Sequence, residues 1–94
     1  MRKLVSTSKF RRAYRKFVKR DHALQERIDI VLKQLEGDAF APGLGTHKLS
    51  GTLLGLWACS CGYDCRIIFC LETDEATGRE AILLLDIGSH EEVY

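Results

Sequence analysis

His47, Asp64, Arg66, His90 and Tyr94 are the residues of this 94-residue chain whose types suit acid–base chemistry. Histidine exchanges protons near neutral pH, so two of them can serve as the base and the acid of one reaction. An aspartate adds a carboxylate, and an arginine adds a fixed cation that matches a phosphate. Such a set fits cleavage of a phosphodiester without metal. A base deprotonates an RNA 2′-OH, the oxyanion attacks phosphorus, an acid protonates the leaving 5′-oxygen, and arginine stabilises the developing charge. Each residue also has a plain structural use. His47 can open a strand, Asp64 can sit in a turn, Arg66 can lay its stem along a strand, and Tyr94 can simply end the chain. His22, next to Asp21, reads as a surface helix residue.

Residues so far apart in sequence meet only if a sheet gathers them. Leu53–Cys61, Cys65–Leu71 and Ala81–Ile87 are short runs of β-branched, aromatic and aliphatic residues, separated by Gly62-Tyr63-Asp64 and by the polar stretch Thr73–Gly78. Two hairpins in succession predict an antiparallel meander, in which the end of one strand lies beside the start of the next. Upstream, Phe10, Ala13, Tyr14, Phe17 and Val18 recur at helical spacing, with Thr7 or Ser8 as the N-cap and Arg11, Arg12, Arg15, Lys16 and Lys19 on the other face. Asp21 can cap a second helix carrying Leu24, Ile28, Val31, Leu32 and Leu35 and stopping at Gly37. A short strand over residues 2–6 opens the chain, and the glycine-rich residues 37–46 form a loop. The expectation is an α+β fold in which the N-terminal strand and helical hairpin pack on a curved antiparallel sheet, in the order β-α-α-β-β-β, as one domain over 1–94.

With 46% hydrophobic and 29% charged residues the chain is too apolar for a disordered tail and too polar for a membrane protein. Its longest aliphatic stretch, Ala81–Leu85, falls far short of the roughly 18 residues that span a bilayer. No apolar segment follows Met1-Arg2-Lys3, so no membrane partner and a cytoplasmic location are expected. The net charge of +1 hides an asymmetry, because residues 1–20 contain nine basic side chains and no acidic one. A pole of that density suits a polyanion or an acidic protein, and it also suits a solvated helix face. Cys59, Cys61, Cys65 and Cys70 are spaced poorly for the two separated pairs of a structural zinc site. They read as small buried free thiols, and neither a metal nor another cofactor is expected.

Taken in order, His47-Lys48-Leu49-Ser50-Gly51, Trp57, Asp64-Cys65-Arg66-Ile67-Ile68-Phe69 and Gly88-Ser89-His90-Glu91-Glu92-Val93-Tyr94 resemble the RelE/ParE toxin superfamily. The YafQ-like branch of mRNA interferases is the nearest in pattern. The motifs cover residues 47–94, and the basic first helix extends the likeness over the rest of the chain. The resemblance implies a RelE-like microbial RNase fold and a toxin of a type II toxin–antitoxin system. Its activity would be ribosome-dependent endonucleolytic cleavage of mRNA in the A site, and its partners a cognate antitoxin, mRNA and ribosomal RNA. By the same resemblance, His47, Asp64 and His90 are catalytic, and Arg66, Tyr94 and Lys48 bind substrate. Two positions depart from the pattern: Ser60 stands where YafQ-like proteins carry a further histidine, and Cys65 where they carry an aromatic residue. A ParE-like gyrase poison and a decayed module that only binds antitoxin are the alternatives.

Overall fold

The computed structural model describes residues 2–94. Strand β1 (Lys3–Ser6) leads into helices α1 (Ser8–Phe17) and α2 (His22–Gly37). Four further strands follow, β2 (His47–Lys48), β3 (Trp57–Gly62), β4 (Cys65–Thr73) and β5 (Glu80–Gly88), and a single helical turn, α3 (His90–Val93), closes the chain. The strands form one five-stranded sheet in the order β1-β5-β4-β3-β2. The fold class is the expected α+β, and the two helices begin where their caps predict. Thr7 Oγ1 accepts from the Phe10 amide at 3.1 Å, and Asp21 Oδ1 accepts from the Leu24 amide at 3.0 Å. Each satisfies a donor that the first helical turn leaves unpaired.

The expected order β-α-α-β-β-β gains a two-residue edge strand, β2, and a closing helix, α3, and three further features differ from the sequence expectation. β1 joins the sheet parallel to β5, so the sheet is mixed rather than wholly antiparallel. The run beginning at Leu53 becomes a strand only from Trp57. Gly51–Leu53 forms a 3-10 turn and Gly55 adopts φ 93°, which bends the chain out of extended geometry. The four cysteines are not all thiols, because Cys61 and Cys65 form a disulfide while Cys59 and Cys70 stay free. That pairing depends on a β-bulge: Ser60 pairs with Arg66 but Gly62 with Cys65, which leaves Cys61 as the extra residue beside Cys65.

The core lies between the helices and one face of the sheet. Phe10, Ile28, Val31 and Leu35 pack against Cys59, Ile67, Phe69, Ile82, Leu84 and Ile87. The helical hairpin is tied internally by the Tyr14 hydroxyl, which donates to Asp29 Oδ1 at 2.7 Å. Burial, and then the neighbouring Asp29 carboxylate, push the Tyr14 phenol up to about 12. No helix of the described residues is long and apolar enough to cross a membrane.

Candidate functional site

Cross-strand partners in a sheet share a face, and successive residues alternate between faces. Cys59, Ile67 and Phe69 point to the helices, so their neighbours Ala58, Ser60, Arg66 and Ile68 point the other way. The register sets two rows across this second face. One runs from His47 through Ala58 and Ile68 to Asp86, and the other from Ser60 through Arg66 to Gly88. The rows lie two residues apart, roughly 7 Å along the strands. His47 and Arg66 therefore share one face of the sheet, although they sit on its edge strand and its middle strand.

The C-terminal turn completes the cluster. Ser89 caps α3, with its hydroxyl accepting from the Glu92 amide and Glu92 Oε1 accepting from the Ser89 amide at 2.9 Å. These bonds hold the Glu92 carboxyl below its ordinary value. The His90 amide donates to Asp64 Oδ1 at 3.0 Å, which ties α3 to the β3–β4 turn. Asp64 adopts φ 53°, a left-handed turn conformation that aspartate tolerates better than most residues. The structural use of Asp64 and its proximity to His90 thus coexist in one residue.

Tyr94 links the remaining groups. Its ring meets the His90 ring edge-on at 4.5 Å between centroids, and it lines a pocket of about 330 Å³ together with His47, Ser50 and Gly51. Burial raises the Tyr94 phenol pKa while the nearby Arg66 charge lowers it. The Arg66 guanidinium is aimed by two backbone carbonyls: Nη1 donates to Cys65 O at 2.8 Å and to Gly62 O at 3.2 Å. His47 is oriented in the same manner. Its Nδ1 lies 3.1 Å from Gly45 O, and donation from Nδ1–H leaves Nε2 as the free ring nitrogen.

Lys48 is separated from the other five residues. As the neighbour of His47 on β2 it points to the opposite face, where Nζ sits 5.5 Å from the centroid of the Trp57 ring. Ser60, at the position where the resemblance calls for histidine, lies directly across from Arg66, with its hydroxyl 3.3 Å from Gly62 O. Sequence reasoning passed over Tyr63, a wholly exposed aromatic side chain beside Asp64 at the tip of the β3–β4 turn. Its place in a three-residue hairpin connection was the available signal. The basic residues Arg11, Arg12, Arg15, Lys16, Lys19 and Arg20 are all exposed along and just beyond α1. The ion pairs among the described residues are Arg2–Glu80, Lys9–Asp86 and His22–Glu26, so none neutralises that stripe.

Solved toxin structures share this arrangement of elements. YafQ from E. coli strain BL21(DE3) superposes with a TM-score of 0.78 at 11% identity, covering 100% of this chain and 99% of that one. A YoeB/ParE toxin from Agrobacterium tumefaciens gives 0.76 at 18% identity, covering 94% and 98%. A chain of the E. coli DinJ–YafQ toxin–antitoxin complex gives 0.76 at 13% identity, covering 99% and 97%. These likenesses establish the fold. No functionally curated protein matches the sequence. A family model described as the bacterial toxin of type II toxin–antitoxin systems, YafQ, matches residues 2–94. The chain belongs to the YafQ family of bacterial toxins of type II toxin–antitoxin systems.

Proposed function

We propose that this toxin is an endoribonuclease that cuts mRNA in the ribosomal A site by acid–base chemistry, with His47 and His90 exchanging the protons. The observation that carries this reading is Tyr94, which touches His90 and lines the same pocket as His47, on the sheet face that carries Arg66. One histidine removes the proton of the 2′-OH and the other delivers a proton to the 5′-oxygen. Arg66 stabilises the charge gathering on the phosphorane oxygens. Asp64 orients His90 through its backbone amide, and Tyr94 holds the imidazole edge. Tyr63 offers an open aromatic face on which a base can stack. Lys48 is left with a structural role over Trp57.

The exposed basic stripe of α1 suits ribosomal RNA, through contacts that weaken as salt rises. A cognate antitoxin is the expected protein partner, since YafQ of E. coli is found in a toxin–antitoxin complex with DinJ. Mapping mRNA ends in a reconstituted translation reaction tests the reading directly. Cuts within codons that require both ribosomes and His90 support it, and intact mRNA overturns it.

One observation favours a second reading, a chain that retains only antitoxin binding. The two positions that depart from the family pattern hold a serine directed at a backbone carbonyl and a cysteine locked in a disulfide, neither of which moves protons near pH 7. Growth arrest on expression without antitoxin, abolished by His90→Ala, rules this reading out.

A further inference from the structure

We propose that the Cys61–Cys65 disulfide is a redox-controlled positioning element for the cluster on this sheet face. Formed, it fixes the β3–β4 turn that aims Arg66 and anchors His90; reduced by a dithiol, it releases both. The inference rests on the nuclease reading only for its effect on cleavage.

The bond closes a ring of five residues, 61–65, with the two Cα atoms 5.0 Å apart. The bonds that aim Arg66 and tie the His90 amide to the sheet pass through this ring. Both carbonyls that accept from Arg66 Nη1, those of Gly62 and Cys65, belong to it. Asp64, whose carboxylate accepts from the His90 amide, lies inside it. The ring also coincides with the bulge in the β3–β4 ladder. A bulge leaves its extra residue unpaired, and here that residue is Cys61. The covalent bond supplies the cross-strand tie that the ladder omits. It also restrains Asp64 at φ 53°, a left-handed conformation that costs a non-glycine residue some energy.

The pairing is protected from shuffling. Burial pushes the Cys59 thiol up to about 12, and the Cys70 thiol is raised as well, by burial and by Glu72. Thiols kept protonated do not attack a disulfide. Cys61 and Cys65 are themselves buried, so exchange waits for the turn to open. The step itself is ordinary exchange. A reductant thiolate attacks Sγ of one cysteine, the S–S bond breaks and the released sulfur takes a proton. The second reductant thiolate resolves the mixed disulfide, so the protein gains two electrons and two protons while the dithiol becomes a disulfide.

The test uses the whole protein, oxidised or reduced with dithiothreitol, with the state read by alkylation in denaturant and mass spectrometry. The oxidised chain takes two alkyl groups and the reduced chain four. Reduction is expected to lower kcat for ribosome-dependent mRNA cleavage about 10- to 100-fold, the scale of a small misplacement of catalytic groups, while KM for ribosomes holds. C61A/C65A should match the reduced protein in either buffer, and reoxidation should restore the wild type alone. A fully reduced wild type that cleaves at the oxidised rate overturns the proposal. Hydrogen exchange gives a readout independent of cleavage. On reduction the His90 amide should exchange about tenfold faster, while the Ile82 and Leu84 amides of β5 stay protected. If the oxidised protein cleaves no mRNA, the nuclease reading falls and the exchange data alone judge the positioning: unchanged His90 exchange overturns it.

Discussion

On the helix side of the sheet, Cys59, Ile67 and Phe69 meet Phe10, Ile28 and Leu35 in close apolar packing; on the other side, the same strands present Ser60 and Arg66 beside His47, His90 and Tyr94. The two faces differ in what holds them. The first is held by area removed from water, which is non-directional and summed over many contacts. On the second, Ala58 and Ile68 are buried as well, but the polar groups are held by a few directed bonds: Gly45 O on His47, Cys65 O and Gly62 O on Arg66, and Asp64 on the His90 amide. A residue lost from the first face therefore lowers stability, whereas one of the exposed polar groups lost from the second alters geometry and leaves the fold in place.

Phe69→Ala gives the largest expected effect, since truncating a fully buried phenylalanine costs about 3–5 kcal/mol. Urea unfolding should report that loss, and a change below 1 kcal/mol would dissolve the contrast between the faces. His90→Ala is the counterpart on the polar side. It should lower cleavage about 10²- to 10⁴-fold while the unfolding midpoint barely moves, because His90 is exposed. A midpoint that falls with the activity would mean that α3 is structural rather than functional. Ser60→His restores the histidine of the family pattern directly across from Arg66. Single-turnover cleavage should rise about tenfold if a proton-transfer group is in short supply there. No gain would mean that the site works with two histidines.

Smaller effects belong to the helical layer. Thr7→Ala removes the cap that accepts from the Phe10 amide and should cost about 1 kcal/mol in thermal unfolding, with cleavage unchanged. Tyr14→Phe, which loses the bond to Asp29, should cost less than about 1 kcal/mol, given the solvent screening at this partly exposed pair. Its pH dependence has a definite sign. A phenol raised in the folded state from 10.0 to about 12 contributes fully below pH 10 and loses that contribution as pH rises through about 12. Wild type and variant should converge in stability across that window when compared by denaturant melts.

The helical hairpin was fully legible because everything that specifies it lies within a few residues along the chain. Thr7 and Asp21 cap locally, and Ile28, Val31 and Leu35 recur at the helical period along α2. The sheet was legible in its strands but not in its register, which depends on partners remote in sequence. Register sent Lys48 to Trp57 and His47 to the opposite face. A bulge of a single residue set Cys61 against Cys65, a pairing that spacing did not reveal. The closing residues became a helix because Ser89 and Glu92 form a capping box and Asp64 accepts the next amide, a bond that links residues 26 apart in sequence.

What the sequence determined by itself was the content of the molecule: two amphipathic helices, the strand-forming runs, a basic first helix, and the ordered motifs that mark the family. These follow from local propensity, period and residue type, which are properties of neighbours in the chain. The tertiary structure alone decided which side chains share a face, which cysteines bond, and how Tyr94 comes to join His90 to the pocket lined by His47. Those outcomes are set by inter-strand register, where a slip of one residue would turn every side chain to the other face.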